Sequence, residues 1–268
     1  MKKITKVLLT LLLALALLPL VGCKNDAKVI TVGATPAPHA QILEEARAYI
    51  KSQGYTLEIV VFIDYVQPNI ALSDGDLDAN YFQHVPYLTN FCTEHDLDLS
   101  SAAKIHFEPL GIYQGGKGTT LSALEAGDNI YVPDDATNCA RALQLLAANN
   151  VIEITNDKGL ETTVADCDTK GINVTPLEAG TIASSIADAS FAVINGNYAV
   201  DWELQDKLVA QEDSTSEAYS TYANIVAVKT EDLESEKTKV LVEALQQPNI
   251  KQYIEDTYDG AVVFFDAD

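Results

Sequence analysis

The amino-acid sequence predicts an α/β protein built as two βα lobes, with the chain crossing between them twice. Three observations carry this. Short apolar runs bounded by Gly, Pro and Asn alternate with longer stretches of 3.6-residue periodicity, the pattern of strands covered by helices. The alternation breaks at Gly115-Gly116-Lys117-Gly118 and again near Ala218–Asn224. The 268-residue chain is also longer than one small core usually fills.

The chain opens with Lys2, Lys3 and Lys6, runs apolar from Val7 to Val21 with Thr10 as its polar break, and reaches Leu20-Val21-Gly22-Cys23. A positive start, an apolar middle and a small residue before the break make a secretory signal. The segment falls short of the roughly 20 apolar residues of a spanning helix. Leu-Val-Gly-Cys also has the form of a bacterial lipobox, whose cysteine becomes the lipidated first residue of the mature chain. The predicted organisation is a lipoprotein signal peptide over residues 1–22, a tether over 23–28, a first lobe made of 29–114 and 225–268, and a second lobe over 115–224.

The first strand covers residues 29–32 and stops at Gly33-Ala34-Thr35-Pro36. Pro38 suits the first turn of a helix, and Ile42, Ala46, Tyr49 and Ile50 recur at helical spacing up to Gly54, a C′ glycine. Residues 57–62 form the next strand, and Gln67-Pro68 opens a helix that ends near Asp74-Gly75. A third strand then hands over to a helix at Pro86. Residues 102–113 read as one extended run through Ile105, Phe107, Leu110 and Ile112. A second series follows: strand 129–132, helix 134–149 with Ala136, Ala140, Leu143 and Ala147 on one stripe, and strands 172–177 and 191–194 around a helix near Ile182 and Ile186. Residues 212–221 read as loop, 225–228 as the returning strand, and two helices around Leu233 to Leu245 and Ile250 to Tyr258 close the chain. Such alternation predicts largely parallel sheets.

Lys and Arg number 17 against 39 Asp and Glu, a net charge of −22; losing the signal peptide removes three lysines and no acid and brings it to −25. A chain so acidic repels phosphate backbones, which excludes nucleic acid as a partner. It also repels anionic headgroups, leaving membrane attachment to acyl chains on Cys23; two chains hold stably where one holds marginally. Cys92, Cys139 and Cys167 remain in the mature chain, an odd set that leaves at least one unpaired. They pack as small apolar groups, or two of them pair. With no C-x-x-C, neither a zinc ribbon nor a redox dithiol is predicted.

Catalytic signatures are missing. His39, His84, His95 and His106 are dispersed without H-x-x-x-H, and no G-x-S-x-G, phosphate loop or dinucleotide fingerprint stands in its proper context. Asp76 and Asp78 read as a solvated turn. The sequence predicts no metal, no cofactor and no enzyme, but a binding protein.

Asn80-Tyr81-Phe82-Gln83-His84-Val85-Pro86-Tyr87 concentrates three rings and an imidazole in a chain that is 7% aromatic. It falls at the carboxyl end of a predicted strand, where open α/β sheets bind ligands; core packing is the other use of such rings. Of the two arginines, Arg47 stands among Glu44 and Glu45 as a surface charge. Arg141 opens a helix after a strand and shares a face with Asn138. Its guanidinium suits a ligand carboxylate, a charged hydrogen bond of about 1.5–3 kcal/mol; a salt bridge to Asp134 or Asp135 is the alternative. Asn195-Gly196-Asn197-Tyr198 places one of two amides at another carboxyl-end loop, unless Asn-Gly simply makes a turn. Asn224 enters the second crossover facing the cleft. One arginine and scattered amides can bind the ammonium and carboxylate of an amino acid, while Tyr65, Phe82, His84 and Tyr87 enclose its side chain. Rings suit a thioether, at about 0.3–1.5 kcal/mol per contact.

These residues resemble a known family, the methionine-binding lipoproteins of the NlpA/MetQ type, receptors of methionine ABC importers. The matching stretches are Val32-Gly-Ala-Thr-Pro36 with Pro38-His39-Ala40, Asp64-Tyr65-Val-Gln-Pro-Asn69, Gly75 through Leu88, Pro133 through Leu143, Val193 through Ala199 and Tyr222-Ala-Asn-Ile225. The resemblance implies a type II periplasmic-binding-protein fold, L-methionine or a close analogue in the inter-lobe cleft, and delivery to an ABC permease and its ATPase. It also implies an extracytoplasmic protein held at the cell membrane by lipidated Cys23. By matching position, Tyr65, Phe82, His84 and Tyr87 resemble the side-chain box and Arg141 the carboxylate clamp, with Asn138, Asn195 and Asn224 as polar partners. Cys139 beside the clamp and the long polar loop 212–221 depart from the pattern. Both bear on ligand choice, so the D-isomer, another amino acid and a methionyl dipeptide stay open; one methylene is worth only about 1–3 kcal/mol in such a pocket. Cys23→Ser is expected to move the protein from the membrane to the soluble fraction and to abolish labelling by a radioactive fatty acid, read by fractionation and autoradiography.

Overall fold

The computed structural model describes residues 28–117, 120–215 and 217–266; the signal peptide, Cys23 and nearly all of the tether lie outside them. The chain forms β1 (Val29–Ala34), α1 (Gln41–Ser52), β2 (Thr56–Val61), α2 (Gln67–Asp74), β3 (Ala79–His84), α3 (Val85–His95), β4 (Leu99–Phe107) and β5 (Gly111–Gln114). It continues through β6 (Asn129–Pro133), α4 (Ala136–Ala148), the short pair β7 (Glu153–Ile154) and β8 (Cys167–Asp168), β9 (Asn173–Leu177), α5 (Ala179–Ser185) and β10 (Phe191–Ile194). Then come α6 (Gly196–Asp201), β11 (Leu208–Gln211), α7 (Glu217–Thr221), β12 (Asn224–Lys229), α8 (Glu236–Leu245), α9 (Pro248–Tyr258) and β13 (Val263–Phe264).

Two main sheets result, in the orders β13-β4-β12-β3-β1-β2 and β11-β5-β10-β6-β9. Each is covered on both faces, which is why its central strands are apolar without alternation. In the first sheet Val226 and Val228 of β12 pack with Ile42, Leu43 and Ile50 of α1, Leu241 of α8 and Ile254 of α9. Ile225 and Ala227 of the same strand face the other way, against Leu72 and Leu88. In the second sheet Phe191 and Val193 of β10 meet Leu143 and Leu146 of α4, while Ala192 and Ile194 meet Ile182 of α5 and Tyr198 of α6. Turn chemistry sets the connections. Gly75, at φ 84°, takes the left-handed position that ends α2, so the chain reverses into β3.

The structure departs from the sequence reading in several places. Residues 102–113 are two strands, not one, and they belong to different sheets: β4 pairs with β12 and β13, β5 with β10 and β11. The first crossover is therefore residues 108–110, and β5, assigned by sequence to the first lobe, belongs to the second. The apolar run does not say which sheet each half joins; Pro109, without an N–H to donate, sits at the break. The second crossover covers residues 212–223 and contains α7 where loop was expected. Both sheets are mixed, because β12 runs antiparallel to β3 and β5 antiparallel to β10. Asn195 takes the position before the first turn of α6, without a side-chain capping bond, where Asn-Gly could have made a simple turn. Cys92, Cys139 and Cys167 are all free thiols. Among the described residues no helix is long and apolar enough to cross a membrane.

Leu241, fully buried among α1 and the strands, tests whether α8 completes the first core. Leu241→Ala is expected to lower the unfolding free energy by about 2–5 kcal/mol, seen as a lower urea midpoint with unchanged slope.

Candidate functional site

Strand β3 is buried along its whole length, and its polar side chains divide the work. Asn80 and Gln83 turn toward α2, where Asn69 joins them in a closed set of amide bonds of 2.7–2.9 Å. His84 ends the strand and caps α3: its Nδ1 accepts the Tyr87 N–H at 3.1 Å. That leaves Nε2 carrying the proton, and it donates to Asn138 Oδ1 at 3.2 Å. Burial pushes the His84 pKa down to about 3, aided by the Arg141 charge, so the ring is neutral. Pro86 stands at the start of α3, and Tyr87 on its first turn donates to the Tyr65 carbonyl at 2.9 Å. The rings of Tyr65, Phe82 and Tyr87 lie 5.8–6.1 Å apart, within aromatic contact distance.

The second lobe closes onto this wall. Tyr65 Oη donates to Asn197 Oδ1 at 2.5 Å and Tyr198 Oη to the Ile63 carbonyl at 3.1 Å. At the start of α4, Asp135 accepts from the backbone and the side-chain amide of Asn138, each at 3.0 Å. Asn138 Oδ1 is thereby aimed outward, taking bonds from His84 and from Asn195 Nδ2 at 2.9 Å. Asn195 Oδ1 is then a buried acceptor with no partner among the described residues.

Arg141 is buried and pairs with neither Asp134 nor Asp135. Glu212 takes its fork: Nε to Oε1 at 2.7 Å and Nη2 to Oε2 at 2.5 Å. Nη2 also donates to the Glu108 carbonyl at 3.0 Å, and the guanidinium carbon lies 4.2 Å over the Tyr222 ring. Nη1 makes no hydrogen bond to the described residues, and Arg141 lines the cleft. All eight residues proposed from sequence, Tyr65, Phe82, His84, Tyr87, Asn138, Arg141, Asn195 and Asn224, surround one cleft enclosing about 340 Å³ of space between atoms, part of it open to solvent. Asn195 and Asn197 both line it. Cys139 does not; it packs in the second core and lines a neighbouring groove.

Sequence reasoning missed Glu108 and Glu212. Glu108 lines the cleft, and two histidines far apart in sequence meet it, His106 Nε2 at 2.8 Å and His39 Nε2 at 3.4 Å from Oε1. Both rings are fixed from behind: Thr35 Oγ1 is 2.7 Å from His39 Nδ1, and the Tyr81 hydroxyl bonds His106 Nδ1. His39 Nε2 also reaches Asn224 Oδ1 at 3.0 Å. Burial lowers the His39 and His106 pKa values to about 4 and 3 and raises that of Glu108, against the pull of His39, the Asn197 backbone amide and Arg141. The three form a cluster of potential metal ligands whose imidazole nitrogens are each hydrogen-bonded within the protein. His106 and Glu108, two residues apart at a strand end, share a face; that was the available signal. Glu212 gave none, since it sits in a polar stretch.

Two mixed sheets, two crossovers and one polar, ring-lined cleft between the lobes define a solute-binding protein of the type II periplasmic-binding-protein fold. The profile described as NlpA lipoprotein matches residues 30–265, and the chain belongs to that family. It is 38% identical to the methionine-binding lipoprotein MetQ of Bacillus subtilis over 252 residues, 90% of each chain. Among solved structures it is similar to a nutrient-binding protein from Burkholderia cenocepacia bound to methionine, at TM-score 0.82 and 34% identity over 88% of this chain and 99% of the other. It is also similar to a periplasmic substrate-binding protein of an ABC transporter from Coxiella burnetii, at TM-score 0.81 and 32% identity over 88% and 100%.

His39, His84 and His106 are neutral in the fold at pH values where they are protonated in the unfolded chain. Unfolding then takes up protons, and stability falls as the pH drops below about 6.5. Glu108 and Asp135, raised by burial, oppose this with the reverse sign. The expected outcome is a urea midpoint that falls from pH 7 to pH 5, each imidazole contributing at most about 1.4 kcal/mol per pH unit; a flat or rising midpoint would mean that the two carboxyls outweigh the imidazoles or that the rings are charged in the fold.

Proposed function

We propose that this chain is a lipid-anchored substrate-binding protein of an ABC importer, which closes its lobes on methionine outside the cytoplasm and delivers it to the membrane permease and its ATPase. The observation that carries this is one cleft in which a buried guanidinium with a spare nitrogen and an unpaired amide oxygen face the same space as a wall of three rings. The guanidinium suits the carboxylate, the oxygen suits the ammonium, and the rings suit a thioether. Burying the methionine side chain contributes roughly 1.5–3 kcal/mol. The relatives named for methionine binding and the methionine-bound neighbour support the ligand; the ABC-transporter neighbour supports the partner. The process is binding and release, without a covalent step. Attachment through lipidated Cys23 rests on the lipobox and on the family.

A methionyl dipeptide is the second reading, favoured by one observation. Tyr87 also lines a larger groove between the lobes, bordered by Val66, Phe91, Cys139, Val164 and Pro176, into which a longer ligand could extend.

Calorimetry and thermal unfolding with L-methionine, D-methionine and methionyl dipeptides test both readings. Methionine is expected to bind and to raise the melting temperature, while Arg141→Ala weakens binding about tenfold or more. Pairing that change with Glu212→Gln avoids leaving a buried carboxylate alone. Absence of heat and of any thermal shift with methionine would overturn the first reading; tighter binding of a dipeptide would establish the second.

A further inference from the structure

Helix α7 of the second crossover has five residues, too few to be stable without tertiary support. That support comes from the first lobe. Tyr219 Oη donates to the Phe264 carbonyl at 2.9 Å and accepts the Asp266 N–H at 3.1 Å. Its ring stacks on Phe265, with centroids 5.0 Å apart, and meets Phe107 of β4 edge-on at 5.8 Å. Lys104 of β4 donates to the Ser220 carbonyl at 2.7 Å and lies 5.2 Å over the Phe265 ring. The C-terminal residues are anchored in turn: β13 pairs with β4, the Phe265 N–H donates to the Ile105 carbonyl at 2.9 Å, and Asp266 pairs with Lys251 at 2.7 Å. At its other end α7 leads straight into Tyr222, whose N–H donates to the Ala218 carbonyl at 2.8 Å. The Tyr222 ring lies 4.2 Å from the guanidinium carbon of Arg141 and 5.2 Å from the His84 ring, so it supports one cleft residue from each lobe. Tyr219, Tyr222 and Phe265 are not among the residues that line the cleft.

We propose that Tyr219 is a positioning residue for ligand binding: it joins residues 264–266 to α7 and, through α7, fixes Tyr222 against Arg141 and His84. This rests on reading the cleft as the methionine site and adds a determinant of affinity outside it. With Tyr219 in place, the supporting ring under the guanidinium is held before any ligand arrives, and binding does not have to order it. Without Tyr219, α7 keeps the Lys104 bond but loses its attachment to the C-terminal segment. Tyr222 then gains freedom, and part of the binding energy goes into restoring its position. Residues at the very end of the chain thus act on a cleft that they do not touch.

Calorimetry with L-methionine tests this on the full chain purified in detergent, unaltered and as point variants, with thermal unfolding confirming that each is folded. Tyr219→Ala is expected to weaken methionine about three- to tenfold. Tyr219→Phe, which keeps both ring contacts, should recover most of that loss. Phe265→Ala removes the other half of the stack and is expected to act in the same direction, which carries the test should Tyr219→Ala not fold. In a Tyr222→Leu background, Tyr219→Ala should change affinity by less than about twofold, because the route to the cleft is gone. Leu241→Ala, in the first core and not lining the cleft, should lower stability while leaving affinity within about twofold. Unchanged affinity in folded Tyr219→Ala and Phe265→Ala overturns the inference and leaves the methionine reading intact. So does a Tyr219→Ala loss that persists in full without Tyr222, or one that Leu241→Ala reproduces. If the unaltered chain binds no methionine, the methionine reading fails and the inference with it.

Discussion

The constraint on which the cleft depends is the burial of one guanidinium. Arg141 is 3% exposed on a helix of the second lobe, and an unpaired charge there would be untenable. Glu212 neutralises it from the start of the second crossover, the Glu108 carbonyl accepts from it at the first, and Tyr222 of the second crossover lies under it. Glu212 in turn accepts the Leu110 N–H at 3.0 Å, so both crossovers are bonded to each other and to the same side chain. Breaking a buried pair of this kind by removing one partner costs about 3–5 kcal/mol. A group that lines the cleft is thus also the group that ties together the two segments linking the lobes.

The polar groups around it are arranged so that few choices remain. His84 has its Nδ1 occupied by the helix it caps, which sets its tautomer and aims its proton at Asn138. Asn138 is oriented by Asp135, and Asn195 by Asn138. What is left over is Asn195 Oδ1, a buried acceptor without a partner among the described residues, on a residue that lines the cleft beside Arg141. Such preorganisation lowers the ordering cost of binding, and it explains why residues from five separate stretches of chain act together.

Electrostatics differ between the surface and this interior. The chain carries a net charge of −22, and in water such a charge serves solubility. Inside, three imidazoles are kept neutral by burial, and the carboxylates are held by donors. A zwitterion passes such a surface without strong attraction or repulsion, and its selection is left to the short-range contacts of the cleft.

Much of this was legible in the chain. The order of strands and helices follows from period and punctuation, and Tyr65, Phe82, His84, Tyr87, Asn138, Arg141, Asn195 and Asn224 stood out because scarce residue types sat at strand ends and helix starts. Those are local properties, written in neighbouring residues. Which sheet takes β5 and which acid meets Arg141 are settled by contacts between segments up to 100 positions apart. Glu108 and Glu212 were two acids among 39; only the spacing of Glu108 from His106 gave a local sign, and Glu212 had none. Burial separates them from the rest: charges that are ordinary in water demand specific partners once the lobes exclude it, and only the assembled structure decides which side chains lose their water.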